Sequence, residues 1–130
     1  MPDYNLTWQP TDAQFLEAIL LATGGEGGAP LQEILLMADA AGGTVYTLKE
    51  VEEALEKLIA VKLVQVQKNK LALAVAFVQA YESMEPAEEE AILELLRTHT
   101  LTAQSIDEAR EELKKYKLKN HYQQYLEQYG

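Results

Sequence analysis

The stretch that decides the fold spans residues 47–78 and reads TLKEVEEALEKLIAVKLVQVQKNKLALAVAFV. Thr47 followed three residues later by Glu50 is a capping-box pattern, which predicts the start of a helix. The apolar residues that follow recur at helical spacing and define one face: Leu48, Val51, Ala54, Leu55, Leu58 and Ile59. From Val61 the apolar period changes to two on both sides of a polar turn, which predicts a β-hairpin whose return strand reaches Phe77.

Two further helices are predicted upstream of this stretch. Thr11 with Gln14 forms a capping-box pattern, and the apolar spacing after it predicts a helix over about residues 12–23. The sequence GGEGGAP at 24–30 ends that helix and predicts a loop, because glycine favours positive φ and proline cannot continue a helix. A second helix is expected over about 31–40, followed by a short strand at 44–46.

Downstream of the hairpin the patterns are helical. Pro86 and the acidic residues after it suit the first turn of a fourth helix, because carboxylates are favourable beside the positive end of the helix dipole. Ser105 with Glu108 is a further capping-box pattern and predicts a fifth helix, with Ile106, Ala109 and Leu113 inward.

Composition places the chain among globular proteins. It has 130 residues, 48% of them hydrophobic and 25% charged, which is enough apolar material for a core. The sequence has no cysteine, which fits a reducing compartment, and no apolar run of the ~18 residues that a membrane span requires. The first residues also lack the pattern of a secretory signal. We therefore expect a cytoplasmic location.

Three helices, a short strand and a hairpin in this order resemble the winged helix-turn-helix family, over about residues 11–80. The most telling segment is TLKEVEEALEKLIAVKLVQVQKNKLAL, with its capped third helix, leucine-rich face and short polar wing tip. The expected fold is mainly α with a small β-hairpin. It comprises an N-terminal segment at 1–10, a winged-helix-like domain at 11–82 and a C-terminal helical extension at 83–130.

The resemblance implies that the third helix would enter the DNA major groove, with the wing at the backbone. Its polar face has four glutamates and two lysines: Lys49, Glu50, Glu52, Glu53, Glu56 and Lys57. Carboxylates oppose a phosphate wall, and base readout favours Arg, Lys, Asn and Gln. The whole chain has a net charge of −10. We therefore expect a solvated face on which Glu53 and Lys57 pair at i,i+4 spacing.

Two other groups of residues are candidates for contacts. Those for nucleic acid are the wing tip and a basic cluster near the C-terminus: Lys68, Asn69, Lys70, Lys114, Lys115, Lys117 and Lys119. An aromatic stripe in the tail suits a half-dry dimer interface: Tyr122, Tyr125, Leu126 and Tyr129. The sequence leaves open whether this arm packs in cis or in trans.

Enzyme chemistry has little support in the sequence. The two histidines, His99 and His121, lie 22 residues apart and match no metal-ligand spacing. No Ser/His/Asp arrangement or catalytic carboxylate pair is recognisable. We therefore expect no catalytic, cofactor-binding or metal-binding residues.

The expected function is that of a non-enzymatic regulatory or adaptor module that acts through protein contacts as a homodimer. The alternative is a transcriptional regulator that binds DNA through the wing lysines and the C-terminal lysine cluster. We expect no membrane contact, and the sequence leaves the protein partner unidentified and nucleic-acid binding open.

Substitutions in the hairpin test its assignment. Replacing Lys68 and Lys70 with Ala should change stability by less than about 0.5 kcal/mol, as exposed substitutions do. Replacing Leu73 or Phe77 with Ala should cost roughly 2–5 kcal/mol, as core truncations do. Urea denaturation measures both sets, and equal effects from the two would contradict the hairpin.

Overall fold

The computed structural model describes residues 6–43, 45–83 and 89–129. Within them the chain is mainly helical with one small antiparallel sheet, which confirms the expected fold class. The elements in chain order are α1 (Pro10–Thr23), β1 (Gly28–Ala29), α2 (Leu31–Gly42), α3 (Leu48–Ala60), β2 (Val64–Gln67), β3 (Lys70–Leu73), α4 (Val75–Glu82), α5 (Glu89–Arg97), α6 (Ala103–Tyr116) and α7 (Leu118–Tyr129).

Helix α1 begins two residues earlier than its sequence pattern suggested. Its N-cap is Gln9, with Pro10 at the first helical position, where a missing N–H costs nothing. The Asp12 carboxylate accepts a hydrogen bond from the Gln9 N–H at 2.8 Å. The predicted pairing of Thr11 with Gln14 is therefore wrong.

The third strand of the sheet lies in the glycine-rich loop and not at 44–46. Val45 and Tyr46 are outside any strand, and residue 44 lies outside the described residues. Instead β1 pairs with β3, Gly28 opposite Ala72, in a sheet of order β1-β3-β2. A Cβ at Gly28 would lie 3.0 Å from the Lys70 Cβ, so glycine permits this close approach. Glycine has low strand propensity, which is why the pattern predicted a loop.

The predicted hairpin is confirmed, but its return strand is shorter than expected. Strands β2 and β3 join through Lys68, at φ +56°, and Asn69. The chain then turns at Ala74, the N-cap of α4, so the expected strand positions of Val75 and Phe77 are helical. The Phe77 side chain is buried, whereas Val75 is 71% exposed. Alanines at alternate positions fit both the two-residue period of a strand and the 3.6-residue period of a helix, and alanine has a high helix propensity.

The C-terminal helices share a core with the N-terminal ones. Tyr116, Tyr122 and Tyr125 belong to the same apolar cluster as Phe15 and Leu16 of α1. Helix α6 packs against α3, and α7 packs against α2.

The start of α6 differs from its prediction, while its buried face agrees. Its N-cap is Thr102 with Ser105, whereas Ser105 with Glu108 was expected. Its inward residues are Ile106, Ala109 and Leu113, as predicted. The start expected for the fourth helix, at Pro86, lies outside the described residues.

A buried ion pair joins α1 to α3. Lys57 Nζ lies 2.5 Å from Asp12 Oδ2, and each side chain is 1% exposed. The ammonium also donates to the Thr7 carbonyl at 3.0 Å and lies 5.9 Å from the centre of the Trp8 ring. Burial raises the pKa of the Asp12 carboxyl in spite of the nearby ammonium. The predicted placement of Lys57 on a solvated face, paired with Glu53, is therefore wrong.

Removing one partner of this ion pair should destabilise the fold strongly. Lys57→Met is expected to cost about 3–5 kcal/mol, because it leaves the Asp12 carboxylate buried without its counter-ion. The matched control is Lys114→Met, which breaks an exposed pair with Glu111 and should cost less than about 1 kcal/mol. Chemical denaturation gives both values.

A double-mutant cycle distinguishes the loss of the ion pair from a simple loss of packing. Lys57→Met combined with Asp12→Asn should cost clearly less than the two single changes added together. Additive effects, or a Lys57→Met cost no larger than that of Lys114→Met, would contradict the role assigned to the pair.

Candidate functional site

The polar face of α3 is largely covered. Arg110 of α6 donates from Nε to Glu56 Oε1 at 3.1 Å, and these side chains are 26% and 14% exposed. Burial raises the pKa of the Glu56 carboxyl, and Arg110 opposes that rise. Glu52 and Glu53 are half-buried, whereas Lys49 and Glu50 remain exposed. The expected solvated surface is therefore confined to the first turn of α3.

A cavity of about 530 Å³ opens between α3, α6 and α7, and we term it the lysine groove. Its lining residues are Glu52, Glu56, Arg110, Leu113, Lys114, Lys117, Leu118, Lys119 and Asn120. Leu113 and Leu118 are buried and supply its apolar part. Lys117 adopts φ +61° at the C-cap of α6, and the chain turns there into α7. Three of the four predicted cluster lysines thus line one cavity together with two glutamates.

The remaining predicted nucleic-acid residues lie elsewhere. Lys115 is exposed on α6 and does not line the lysine groove. Lys68, Asn69 and Lys70 are exposed at the tip of the β2–β3 hairpin, as predicted, and none of them lines the groove either.

The aromatic stripe of the tail packs largely within the chain. Tyr122 is 9% exposed and donates its hydroxyl to the Tyr46 carbonyl at 2.6 Å. Tyr125 is also buried, and Gln124 accepts a hydrogen bond from Gln32 of α2 at 2.8 Å. Leu126 is 39% exposed, and the side chain of Tyr129 lies outside the described residues. Two of the four residues predicted for the dimer interface therefore face their own chain's core.

Tyr116 supplies the cap that the start of α2 lacks. The N-cap of α2 is Pro30, without a side-chain hydrogen bond, and the buried Tyr116 hydroxyl accepts from the Leu31 N–H at 3.2 Å. Burial raises the pKa of Tyr116 to about 12, and the hydrogen bond from Leu31 opposes that rise. The His121 ring stacks on Tyr116, with ring centres 4.4 Å apart.

His99 has a different setting from His121. Its carbonyl accepts from Trp8 Nε1 at 3.0 Å, and its Nδ1 lies 3.2 Å from the Leu95 carbonyl oxygen. Each histidine thus has a packing or hydrogen-bonding partner in the fold. No group of three or more metal-ligating side chains occurs in the parts of the chain that the structure describes.

A second cavity, of about 420 Å³, lies between β2, the end of α3 and α6, and we term it the strand-edge groove. Its lining residues are Ile59, Ala60, Lys62, Val64, Gln65, Val66, Ser105, Glu108 and Glu112. Sequence reasoning missed this groove, because no local pattern indicates that α6 returns beside β2. The exposed i,i+4 pair Glu108 and Glu112 was its only available signal.

No family model matches the chain, and neither a curated protein nor a solved structure matches it significantly. No helix within the described residues is both long enough and apolar enough to cross a bilayer. The two grooves and their charged lining residues are the features of the described chain that point to a function.

The Tyr116 hydroxyl should make stability depend on alkaline pH. Its folded pKa of about 12 exceeds its ordinary value of 10, so the folded chain holds the proton more tightly than the unfolded chain. Its contribution is therefore complete below pH 10 and is lost as the pH rises towards 12. Deprotonation of Tyr116 should lower the free energy of unfolding of the wild type by about 2–3 kcal/mol over this pH range, and Tyr116→Phe should lack that decrease.

The same variant should also lose stability at neutral pH. Leu31 would keep a buried N–H without an acceptor, at a cost of about 1–3 kcal/mol. Urea unfolding at several pH values between 8 and 12 measures both effects. If the free energy of unfolding falls with pH equally steeply for the wild type and for Tyr116→Phe above pH 10, the role of the Tyr116 hydroxyl is contradicted.

Proposed function

We propose that this protein is a non-enzymatic regulatory or adaptor module with a winged-helix-like fold that binds other proteins and forms a homodimer. The succession of three helices and the β2–β3 hairpin supports the fold assignment, because the family resemblance rests on that succession. The short strand, expected after α2, lies before it. The antiparallel pairing of β1 with β3 supports it further, since it joins the short first strand to the hairpin.

The observation that carries the protein-binding role is the position of α6 against α3. A DNA-reading third helix must offer its polar face to a groove about 12 Å wide. Here that face is half-buried, and Glu56 is engaged by Arg110. Insertion of α3 into DNA would require α6 to leave and would place carboxylates beside phosphates. Helix α3 is therefore better suited to supporting α6 than to reading bases.

The lysine groove has the chemistry of a protein contact. Its apolar residues, Leu113 and Leu118, lie among charged groups of both signs. Protein interfaces combine an apolar centre with a polar rim in this way. A nucleic-acid backbone would instead meet Glu52 and Glu56 as well as the lysines, in a chain of net charge −10.

The homodimer in this proposal uses a surface other than the buried tyrosines. Tyr122 and Tyr125 are committed to the core of their own chain. Leu126 of the predicted stripe is 39% exposed on α7, so another subunit could cover it. Light scattering between 1 and 100 micromolar protein measures whether the wild type forms a dimer and whether Leu126→Glu prevents it.

The second candidate function is DNA binding through lysines outside α3. The exposure of Lys68 and Lys70 at the hairpin tip, and of Lys115 on α6, favours it. Phosphate contacts make affinity fall steeply with salt, whereas an apolar contact changes little or strengthens. Salt dependence therefore separates the two candidates.

The test compares three variants after nuclease treatment. The groove variant changes Lys114, Lys117 and Lys119 to Ala, the matched control is Lys115→Ala, and the wing variant changes Lys68 and Lys70 to Ala. Affinity capture from a native extract should retain the same proteins with the wild type, the control and the wing variant, and should lose them with the groove variant.

Duplex DNA gives the opposing measurement. Fluorescence anisotropy with a 20-base-pair duplex should show no binding tighter than about 10⁻⁴ M near physiological salt, the weak end of non-specific binding. Tighter binding that weakens steeply between 50 and 200 mM salt, and that the wing variant loses, would favour the DNA-binding alternative.

A further inference from the structure

Strand β2 forms one edge of the sheet, and alternate residues on it direct their backbone groups outward. The sheet order is β1-β3-β2, and Val64 lies opposite Leu73. The Ala74 N–H donates to the Leu63 carbonyl at 2.8 Å, which marks that pair as hydrogen-bonded. Bonded and non-bonded pairs alternate along an antiparallel ladder. Gln65 and Gln67 therefore bond to β3, while the N–H and C=O groups of Val64 and Val66 point away from it.

These outward groups open onto the strand-edge groove. Val66 is half-buried and lines the groove, whereas Val64 is almost completely covered. None of the backbone hydrogen bonds found outside helices and strands in the described residues involves Val66. An open strand edge of this kind is a template for another extended chain.

The walls of the groove specify the chemistry of that chain. Ile59 and Ala60 are half-buried and offer apolar surface beside β2. Glu108 and Glu112 are exposed on the facing side of α6, and Lys62 is the single basic residue among the lining residues. The groove therefore attracts an extended segment that combines apolar and basic side chains.

We propose that the strand-edge groove binds an extended basic segment of a partner protein, which adds to β2 as a further strand. Side chains two positions apart on a strand are about 7 Å apart and face the same side. Glu108 and Glu112 are separated by a rise of about 6 Å along α6. Basic residues at alternate positions of the added strand thus match the spacing of the two carboxylates.

A second copy of the chain fits this groove less well. Residues Val64–Gln67 have no basic side chain, so β2 of a second copy would place no positive charge within the paired strand itself. The inference rests on the proposed protein-binding function, but it concerns a different surface from the lysine groove.

The probe is a fluorescent eight-residue peptide that alternates arginine and valine, titrated with the full-length protein and followed by anisotropy. We expect binding in the micromolar range, and no binding of the same peptide with glutamate in place of arginine. Val66→Pro should weaken binding at least tenfold, because proline has no N–H to donate to the added strand. The hairpin should remain, since that N–H is not part of the ladder with β3.

Two matched controls accompany these variants. Val66→Ala removes the side chain but keeps the N–H, and it should change affinity by less than about threefold. Changing both Glu108 and Glu112 to Gln should weaken binding about fivefold or more and reduce its dependence on salt. Glu111→Gln alters an exposed carboxylate of α6 that does not line the groove, so it should have no effect.

The outcomes separate this inference from the proposed function. Equal affinity of the wild type and of Val66→Pro for the peptide overturns the inference. A wild-type dimer that Val66→Pro converts to a monomer also overturns it, since a second copy of the chain would then occupy β2. If Val66→Pro lowers thermal stability, two peptides replace the variant, each N-methylated on the amides of one edge of its strand. Equal binding of these two peptides overturns the inference. If the wild type does not bind the arginine–valine peptide but still captures proteins through the lysine groove, this inference alone is overturned.

Discussion

The buried ion pair between Lys57 and Asp12 is the constraint on which the arrangement of the N-terminal half depends. Each charge is removed from water, so each requires the other, and the Thr7 carbonyl satisfies a further donor of the ammonium. The pair fixes α3 against α1, and Trp8 links the same region to the end of α5 through the His99 carbonyl. Loss of either charge would leave its partner buried and unpaired, which is more costly than replacing both.

The residue next to Lys57 on α3 makes the contact with α6. With Lys57 turned towards α1, the carboxylate of Glu56 lies where Arg110 of α6 reaches it. Helix α6 then lies between the two cavities. One flank of α6 contributes Arg110, Leu113 and Lys114 to the lysine groove, and another contributes Ser105, Glu108 and Glu112 to the strand-edge groove. A single helix thus presents basic and acidic surfaces on different sides.

Local signals account for the elements that the sequence predicted well. Thr47 and Glu50 form the expected capping box, with the Glu50 N–H donating to the Thr47 hydroxyl at 3.2 Å. The change of apolar period after Val61 predicted the hairpin, and the inward face of α6 followed from helical spacing. Of the candidate residues, Lys68, Asn69 and Lys70 lie exposed at the hairpin tip as expected, because a short polar turn needs no distant partner. Element starts were less accurate, since several Ser, Thr and Gln residues could serve as caps.

The sequence by itself determined most of the helices and the hairpin, because each depends on residues near one another in the chain, and the excess of negative charge follows from composition alone. Helix α4 is an exception, since its first residues were expected to continue a strand. Tertiary structure decided whatever required a distant partner. Strand β1 exists because β3 lies beside it, and Lys57 is buried because Asp12 faces it. Tyr122 lies inward, where its hydroxyl donates a hydrogen bond to the Tyr46 carbonyl. The same holds for both grooves, whose walls come from elements up to about half the chain apart, where no periodicity or local spacing can report their approach.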